Sequence, residues 1–594
     1  MTPTTFAEKK VLNELETGLD IVFGEGPLED RLPPAEAGPD RQVRASFVRW
    51  LAMGSDGAPT LHAKGLRIVG ALITNDGPAG AETPGLDLEG AVLKHDLALI
   101  ACRFHAPILL RNARLQSLFL NHAHIPGSAP GTPAANWALT ADRLETRGGV
   151  FLRDARCEGE VRLLGARIGG NLDSDGATLT NPNGNALSGS RLEARGDVFL
   201  RGARCEGAVH LLGARIGGDL ACTGATLTNP NGDTLSADGL HTRGGVFLSG
   251  ARCEGAVSLP GARIKGDLAC NGATLSRPGG DALVASSAEV GGILFWIGEM
   301  TVEGAVDLRA ASFKAIYDHR ACWPKPGELG LDRCAYGAFV GNGVPVSANA
   351  RIDWLGRQYA KGDGQEFRPQ PWEQCAKVLR EMGHREDARL ILIDKERRLR
   401  ADAARRGQRG WLLRAADRVL DVTIAYGHRP LRALLFLAIL WFIGADVFRA
   451  AWHMDQFKPN NAFVLRAPEW VMCDPKLEDG RDMASGKDVA RPEGWSADTS
   501  QLKCFLEQPE ARDFPKFNAG IYAFDVLFPL VDVEQQANWI PDPACAGEAK
   551  WSMLPSSRDC VGWWAKAFVY VLILAGWGLS LLAVAGFSGL VKSD

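Results

Sequence analysis

A 48-residue repeat constrains the fold of this chain more than any other feature of its sequence. Three copies begin at Arg143, Arg191 and Gly239, and a fainter fourth copy begins at Gly291. A repeat of this length cannot bury its own apolar face, so neighbouring copies must stack to build a continuous core. The repeat therefore predicts a solenoid.

A shorter period inside each copy indicates what the solenoid is made of. Ala155, Ala166 and Ala177 are evenly spaced, and apolar residues alternate with polar ones, as in Val150 and Leu152. Alternation of period two is typical of half-buried strands, and the many glycines are unfavourable in helices. We expect a mainly β fold, a single-chain β-helix of about twelve coils at roughly 22–24 residues each. The segments at 181–184 and 229–232 are predicted to protrude as turns.

The flanking sequences divide the rest of the chain. Two amphipathic stretches, 6–18 and 41–52, are predicted to form helices that cap the solenoid, with a Pro- and Gly-rich linker between them. After residue 345 the pattern becomes helical, with a tetratricopeptide-like hairpin that starts at Pro371 and turns at Gly383. The predicted domains are a helical cap (1–58), a β-helix (59–345), a helical stalk (346–428), a first transmembrane helix (429–452), a loop domain (453–562) and a second transmembrane helix (563–591).

Two apolar stretches near the C-terminus predict a membrane protein. Residues 567–591 carry no charge, and such a run is long enough to cross a hydrocarbon core of about 30 Å. The other stretch, 431–452, is a weaker candidate, because its uncharged run covers only 433–445 and Asp446 follows directly. A basic amphipathic helix is predicted at 411–424, just before this stretch. Such a helix lies either at the membrane interface or in solvent. The first expected partner is thus the lipid bilayer.

Basic residues and cysteines indicate how the chain crosses the membrane. Arg and Lys are dense between 395 and 432, whereas the positions next to the spans on the loop side offer only Arg449, Lys458, Arg558 and Lys566, so the positive-inside rule places both termini in the cytoplasm. The predicted location is the bacterial inner membrane, with loop 453–562 in the periplasm. The loop holds four candidate disulfide cysteines, Cys473, Cys504, Cys545 and Cys560, for which three pairings are open. The other cysteines are expected to stay reduced in the cytoplasm.

One part of the loop has two alternative interpretations. Phe517 to Trp539 begins with a helical apolar stripe, which Pro529 and the polar run 532–536 interrupt. The segment is either an interfacial helix or a re-entrant element between two spans, which is the topology of a two-span channel subunit. The chain has no Thr-Val-Gly-Tyr-Gly sequence, so potassium selectivity has no support.

The net charge argues against a nucleic-acid-binding protein, and the motifs argue against an enzyme. The formal net charge is −4, which argues against attraction to nucleic acid. The sequence from Gly165 lacks the G-x-G-x-x-G spacing, and we find no triad, paired-carboxylate motif or phosphate-binding loop. The repeated cysteines, Cys157 among them, are interpreted as core residues. We therefore predict no cofactor, no metal site and no catalytic residue.

Arginines that recur at the repeat spacing are the candidate partner-binding residues. An aligned arginine face would attract an anionic polymer or an acidic protein. Glutamates run beside it, so a mixed-sign ladder that keeps the rod soluble is the simpler alternative. The candidates are Arg147, Arg195, Arg243, Arg156, Arg204, Arg252, Arg167, Arg215 and Arg263.

Seven segments spread along the chain carry a resemblance to known proteins. They begin at Val43 (VRASFVRWL), Gly65, Arg143, Trp323, Pro369 (PQPWEQCAKVLREMGHREDAR), Tyr426 and Tyr522 (YAFDVLFPLVDVEQQANW). With these segments the whole chain resembles a family of bacterial membrane proteins that join pentapeptide-like, Gly-rich β-helix repeats to a C-terminal two-span anchor, and whose members are often labelled membrane-associated oxidoreductase. The resemblance implies a β-helix with a membrane anchor, and its label implies redox chemistry, although no motif here supports a redox mechanism.

These observations lead to three functional hypotheses. The first is a non-enzymatic, membrane-anchored scaffold whose β-helix recruits an unknown cytoplasmic protein or signals from the envelope. The second is an oligomeric pore or membrane-disrupting effector, and the third is the oxidoreductase of the family label. Small residues at Gly576 and Ser580, and at Ala585 and Gly589, would allow homo-oligomers through close packing of the transmembrane helices.

Overall fold

The protein folds into two compact units, Met1–Lys395 and Glu396–Asp594. The structure is a computed structural model that describes residues 1–75, 85–128, 136–358, 366–474, 499–528, 531–543 and 561–588. The first unit contains a parallel β-solenoid of about 11 turns over residues 42–336. The predicted β-helix is confirmed, with about one turn fewer than expected and with an earlier start than residue 59.

The solenoid strands form two parallel sheets. One sheet contains Ile21–Val22, Leu66–Val69, Leu97–Ile100, Arg114–Leu115, Leu118–Phe119, Glu145–Thr146, Val150–Phe151, Arg167–Ile168, Leu172–Asp173, Glu193–Ala194, Val198–Phe199, Arg215–Ile216, Leu220–Ala221, His241–Thr242, Val246–Phe247, Arg263–Ile264, Leu268–Ala269, Glu289–Trp296, Ser312–Asp318 and Ala335–Tyr336. The other contains Gln42–Arg44, Leu72–Thr74, Arg103–Phe104, Ile108–Leu109, His124–Ile125, Trp137–Thr140, Arg156–Cys157, Glu160–Arg162, Thr178–Ser188, Arg204–His210, Thr226–Ser236, Arg252–Ser258, Thr274–Val284, Thr301–Asp307 and Leu329–Gly330.

The 48-residue repeat corresponds to two turns of unequal length. Ile168 pairs with Ala194, 26 residues later, and Ala194 pairs with Ile216, 22 residues later, which together make 48. All three side chains point into the core and are at most 4% exposed. Because side chains alternate along a strand, the residues between them point outward in rows that run along the solenoid.

The longer turn contains the predicted protrusion. Thr180 pairs with Glu206 and the next pair is Asn185 with Ala208, so residues 181–184 leave the register opposite Gly207. The side chain of Asn181 closes this bulge by donating a hydrogen bond to the carbonyl oxygen of Asn185 at 2.8 Å. A Cβ on Gly207, whose φ is +115°, would lie 2.3 Å from the carbonyl oxygen of Asn181. Only glycine fits this position.

The N-terminal helices are α1 (Phe6–Glu14) and α2 (Ala45–Met53). The predicted helix over 41–52 is wrong at its start, because Gln42–Arg44 is a strand that pairs with Leu72–Thr74. Val43 is therefore a fully buried residue of the first turn and not part of a separate cap. This stretch is too short for its alternation to be distinguished from the start of a helix by sequence.

Three helices follow the last turn of the solenoid, α3 (Ala348–Gly356), α4 (Gln370–Glu381) and α5 (Arg385–Arg405). Pro371 stands at the start of α4, and Gly383, with a φ of +93°, lies in the turn between α4 and α5. Both positions agree with the predicted hairpin. Trp372 on α4 donates its indole N–H to Asp394 on α5 at 2.9 Å, which holds the two helices together.

The second unit is helical. Its helices are α6 (Trp411–Ile424), α7 (Leu431–His453), α8 (Pro468–Val471), α9 (Gln501–Glu507), α10 (Ala519–Leu527), α11 (Gln535–Asn538) and α12 (Val561–Phe587), and an antiparallel ribbon joins Phe457–Pro459 to Trp539–Pro541. The helices α7 and α12 are long and apolar enough to cross a membrane, with mean hydropathies of 2.0 and 2.2.

Candidate functional site

The arginines of the Arg167 row do not form a cationic surface. In the structure each turn between two arginines of this row contributes another residue, Glu145, Glu193 or His241. Arg215 lies 3.4 Å from Glu193, and Arg263 lies 3.7 Å from Glu289. These side chains are largely exposed, so each pair contributes little stability. The row reads Arg114, Glu145, Arg167, Glu193, Arg215, His241, Arg263 and Glu289.

The Arg156 row on the other sheet is also partly neutralised. Arg156 lies 3.2 Å from Glu158, and Arg252 lies 3.0 Å from Glu254 in its own turn. Threonines occupy the turns between the arginines, so the row reads Arg156, Thr178, Arg204, Thr226, Arg252 and Thr274. The mixed-sign ladder, the alternative to an arginine face, describes the Arg167 row. In the Arg156 row only Arg156 and Arg252 have an acidic partner among the described side chains.

The third set of predicted arginines differs from the other two. Arg147, Arg195 and Arg243 are exposed, and among the described residues no side chain pairs with them. Each follows a strand at the same register position, with Gly169 and Gly217 in the intervening turns.

Lys265 extends this set by one turn beyond Arg243, is also exposed, and has no partner among the described side chains. Sequence reasoning missed it, although Lys265 stands where the two earlier copies have glycine. We name Arg147, Arg195, Arg243 and Lys265 the basic row.

The geometry of the basic row is set by the stacking of the turns. Stacked strands are about 4.8 Å apart, so the arginines, two turns apart, are spaced by about 10 Å. A Cβ on Gly169 would lie 2.1 Å from the carbonyl oxygen of Arg147, and one on Gly217 would lie 1.9 Å from that of Arg195. The turns at Gly169 and Gly217 therefore accept no side chain at this position, so Arg147 and Arg195 stand alone, whereas Lys265 lies in the turn next to Arg243.

The free cysteines are core residues. The free thiols of the described segments are all buried. Burial in apolar surroundings raises the pKa of Cys157, Cys205 and Cys270 to about 12, which disfavours the reactive thiolate. The core-packing interpretation accounts for their burial.

A disulfide lies in the segment between α7 and α12. Cys473, just after α8, is bonded to Cys504 of α9. This is one of the three pairings left open by the sequence. Cys545 and Cys560 lie outside the described residues. The bond ties the two short helices together across 31 residues of chain.

The basic amphipathic helix α6 turns its apolar side outward. Its polar side faces α5, since Asp417 is 3.2 Å from Arg400 and Asp421 is 3.0 Å from Arg397. The opposite side of α6 is exposed and apolar. Its exposed residues are Trp411, Leu412, Leu413, Val419 and Val422.

The helices α7 and α12 pack antiparallel against each other. A Cβ on Gly586 would lie 2.9 Å from that of Pro430, and one on Gly444 would lie 3.0 Å from Leu572. We name the end at His453 and Val561 the loop end, because the intervening segment begins and finishes there.

The short helix α10 runs from the loop end to the middle of this helix pair. Phe517, just before α10, stacks on Trp452 at the end of α7 with ring centroids 4.4 Å apart. Further along, a Cβ on Gly444 would lie 3.3 Å from the Cβ of Ala523, and one on Gly576 would lie 1.9 Å from the carbonyl oxygen of Leu527. Gly576 lies near the middle of α12, about 22 Å from its first residue at 1.5 Å per residue.

The chain then returns to the loop end. The carboxylate of Asp525 accepts hydrogen bonds from the backbone N–H groups of Val533 at 3.1 Å and Gln536 at 2.7 Å. Trp539 reaches Trp452 again, with ring centroids 5.1 Å apart. Residues 517–528 and 531–539 thus enter and leave at one end of the helix pair, as the re-entrant alternative of the sequence interpretation expects.

Comparison with protein-family models and with curated proteins finds no match to this chain.

Proposed function

We propose that the chain is a membrane-anchored scaffold whose solenoid binds an acidic protein in the bacterial cytoplasm. In this proposal α7 and α12 cross the inner membrane, both termini are cytoplasmic, and the loop domain is periplasmic. The observation that carries the proposal is the basic row, four exposed cations that no described side chain neutralises.

The contrast between neighbouring rows supports an acidic partner. The Arg167 row is compensated by glutamates within the solenoid, so it needs no external anion. The cations of the basic row have no such partner among the described side chains. Glycine turns separate Arg147, Arg195 and Arg243, and Lys265 follows Arg243 in the next turn. A partner with carboxylates at matching intervals would gain charge-assisted hydrogen bonds along this row, and the complementary charges would steer its approach.

Two further observations support the orientation. The outward apolar side of α6, with Arg418 beside it, is suited to an anionic inner leaflet. The bond between Cys473 and Cys504 is of a kind that persists in an oxidising compartment such as the periplasm. Together they favour the loop end on the periplasmic side.

Capture of partners by the full-length protein tests the proposal. The protein would be held in lipid nanodiscs and exposed to a bacterial cytosolic extract, and bound proteins would be identified by mass spectrometry. We expect a retained set with low isoelectric points that elutes as the salt concentration rises, because screening weakens contacts between exposed charges.

A matched pair of triple variants makes the test specific. Arg147→Ser, Arg195→Ser and Arg243→Ser combined should lose the acidic set, whereas Arg167→Ser, Arg215→Ser and Arg263→Ser combined should retain it. Equal capture by both variants would show that the basic row does not bind the partner.

A further inference from the structure

We propose that copies of this chain assemble into a cation-conducting pore, lined by the part of the re-entrant segment that returns to the loop end. We name residues 531–534 the return segment. The inference rests on the geometry of the second unit alone and does not depend on the proposed scaffold function.

The first step concerns depth. α10 ends beside Gly576, in the uncharged part of α12, while Gly444, which packs against Ala523, lies two residues from the exposed Asp446 of α7. At 1.5 Å per residue, Gly576 is about 15 Å from Lys566, the charged residue at the loop end of α12. If α7 and α12 cross a hydrocarbon core of about 30 Å, the end of α10 reaches its middle.

The second step concerns the surroundings of the return segment. Backbone without regular hydrogen bonds is not stable against lipid, and occurs at such depth only inside protein or beside water. Val531 is 44% exposed and Val533 is 37% exposed, and the side chains of Asp532 and Glu534 are exposed as well. The described residues therefore leave this irregular, charged segment uncovered.

The third step concerns what surrounds the return segment. Two spanning helices and one half-length helix cannot enclose a water-filled path, and α10 already occupies the groove between α7 and α12 through Gly444 and Gly576. Further copies of the chain, arranged about a symmetry axis, would place their return segments around a common centre. There the segment faces water, and the apolar outer sides of α7 and α12 face lipid.

The fourth step concerns the ion. Asp532 and Glu534 are the exposed charges of the return segment, and residues 517–543 contain no Lys or Arg. A buried carboxylate, Asp525, positions the segment through its two backbone hydrogen bonds. Symmetric copies would form rings of carboxylates, which select cations over anions.

Electrical recording from the full-length protein in planar bilayers tests the pore. Under a potassium chloride gradient we expect currents whose reversal potential indicates preference for potassium over chloride. Asp532→Asn with Glu534→Gln should remove most of that preference. Glu507→Gln with Glu510→Gln, two exposed carboxylates near the end of α9, is the matched control and should leave it unchanged.

Accessibility to water provides a second, independent readout. Val533→Cys should react in intact proteoliposomes with a membrane-impermeant thiosulfonate added at the loop end, and the reaction should reduce the current. Leu574→Cys, on the exposed outer side of α12, should not react. Absence of current from correctly inserted protein, or a Val533→Cys that resists the reagent, would overturn the pore, while the partner-capture experiment would stand unaffected.

Discussion

Arg351 forms a doubly hydrogen-bonded ion pair with Asp318, with both Nη–Oδ distances at 2.7 Å. The pair joins the strand Ser312–Asp318 to α3, and the two side chains are 0% and 3% exposed. The indole N–H of Trp323 donates to the same carboxylate at 2.7 Å, and the guanidinium lies 3.5 Å from the centre of the Phe339 ring. This cluster closes the C-terminal end of the solenoid core.

Loss of the Arg351 guanidinium should destabilise the first unit. Arg351→Met leaves the Asp318 carboxylate buried without its charged partner, which costs about 3–5 kcal/mol when one member of a buried pair is removed. Calorimetry should show a lower unfolding temperature for this unit. Arg320→Ala is the control, because its pair with Asp353 is exposed and should contribute less than about 1 kcal/mol. Equal effects of the two changes would contradict the structural role of the buried pair.

Substitution by valine should destabilise the protein at Gly576 but not at Gly578. A Cβ on Gly576 would lie 1.9 Å from the carbonyl oxygen of Leu527, whereas a Cβ on Gly578 would meet no atom within 4 Å. Gly576→Val should displace α10 and cost about 1–3 kcal/mol, as overpacking does elsewhere. Gly578→Val should have little effect. Thermal unfolding in detergent, followed by tryptophan fluorescence, measures both, and a stable Gly576→Val would disprove the packing of α10.

The solenoid was predictable because its signal is periodic. The 48-residue step and the alternation around Val150 repeat often enough to specify parallel strands. The first turn escaped prediction, since Val43 lies in a three-residue strand directly before α2. The protrusion was predicted from the Asn-Pro-Asn-Gly composition, but its effect on the turn length, 26 against 22 residues, needed the register.

The candidate sites were only partly predictable, because sequence spacing does not reveal what lies in the intervening turn. Arg167 and Arg147 recur at the same interval, yet Glu193 falls between members of the first row and Gly169 between members of the second. The same limit applies to the re-entrant segment. Its depth depends on contacts of Ala523 and Leu527 with glycines far away in the chain, and no local pattern encodes these contacts.

The buried thiols of the solenoid should not react in the folded protein. Burial raises the pKa of Cys157 and Cys205 to about 12, so the thiolate is a negligible fraction at pH 8, and raising the pH to 9 should change little. Labelling with an aromatic disulfide, followed by peptide mapping, should show reaction only after denaturation. Leu212→Cys, at a position that is 49% exposed, is the positive control. Rapid labelling of Cys157 in the native state would contradict its burial.

The disulfide between Cys473 and Cys504 should stabilise the segment between α7 and α12. It closes a loop of 31 residues, and removing a bond of this kind costs about 2–4 kcal/mol through the greater freedom of the unfolded chain. Cys473→Ala with Cys504→Ala should therefore lower the unfolding temperature of the second unit. The stability of the second unit in the double variant should also be insensitive to dithiothreitol. Peptide mapping without reduction should recover the two cysteines in one linked fragment, and recovery of Cys473 joined to Cys545 or Cys560 would show that the pairing is wrong.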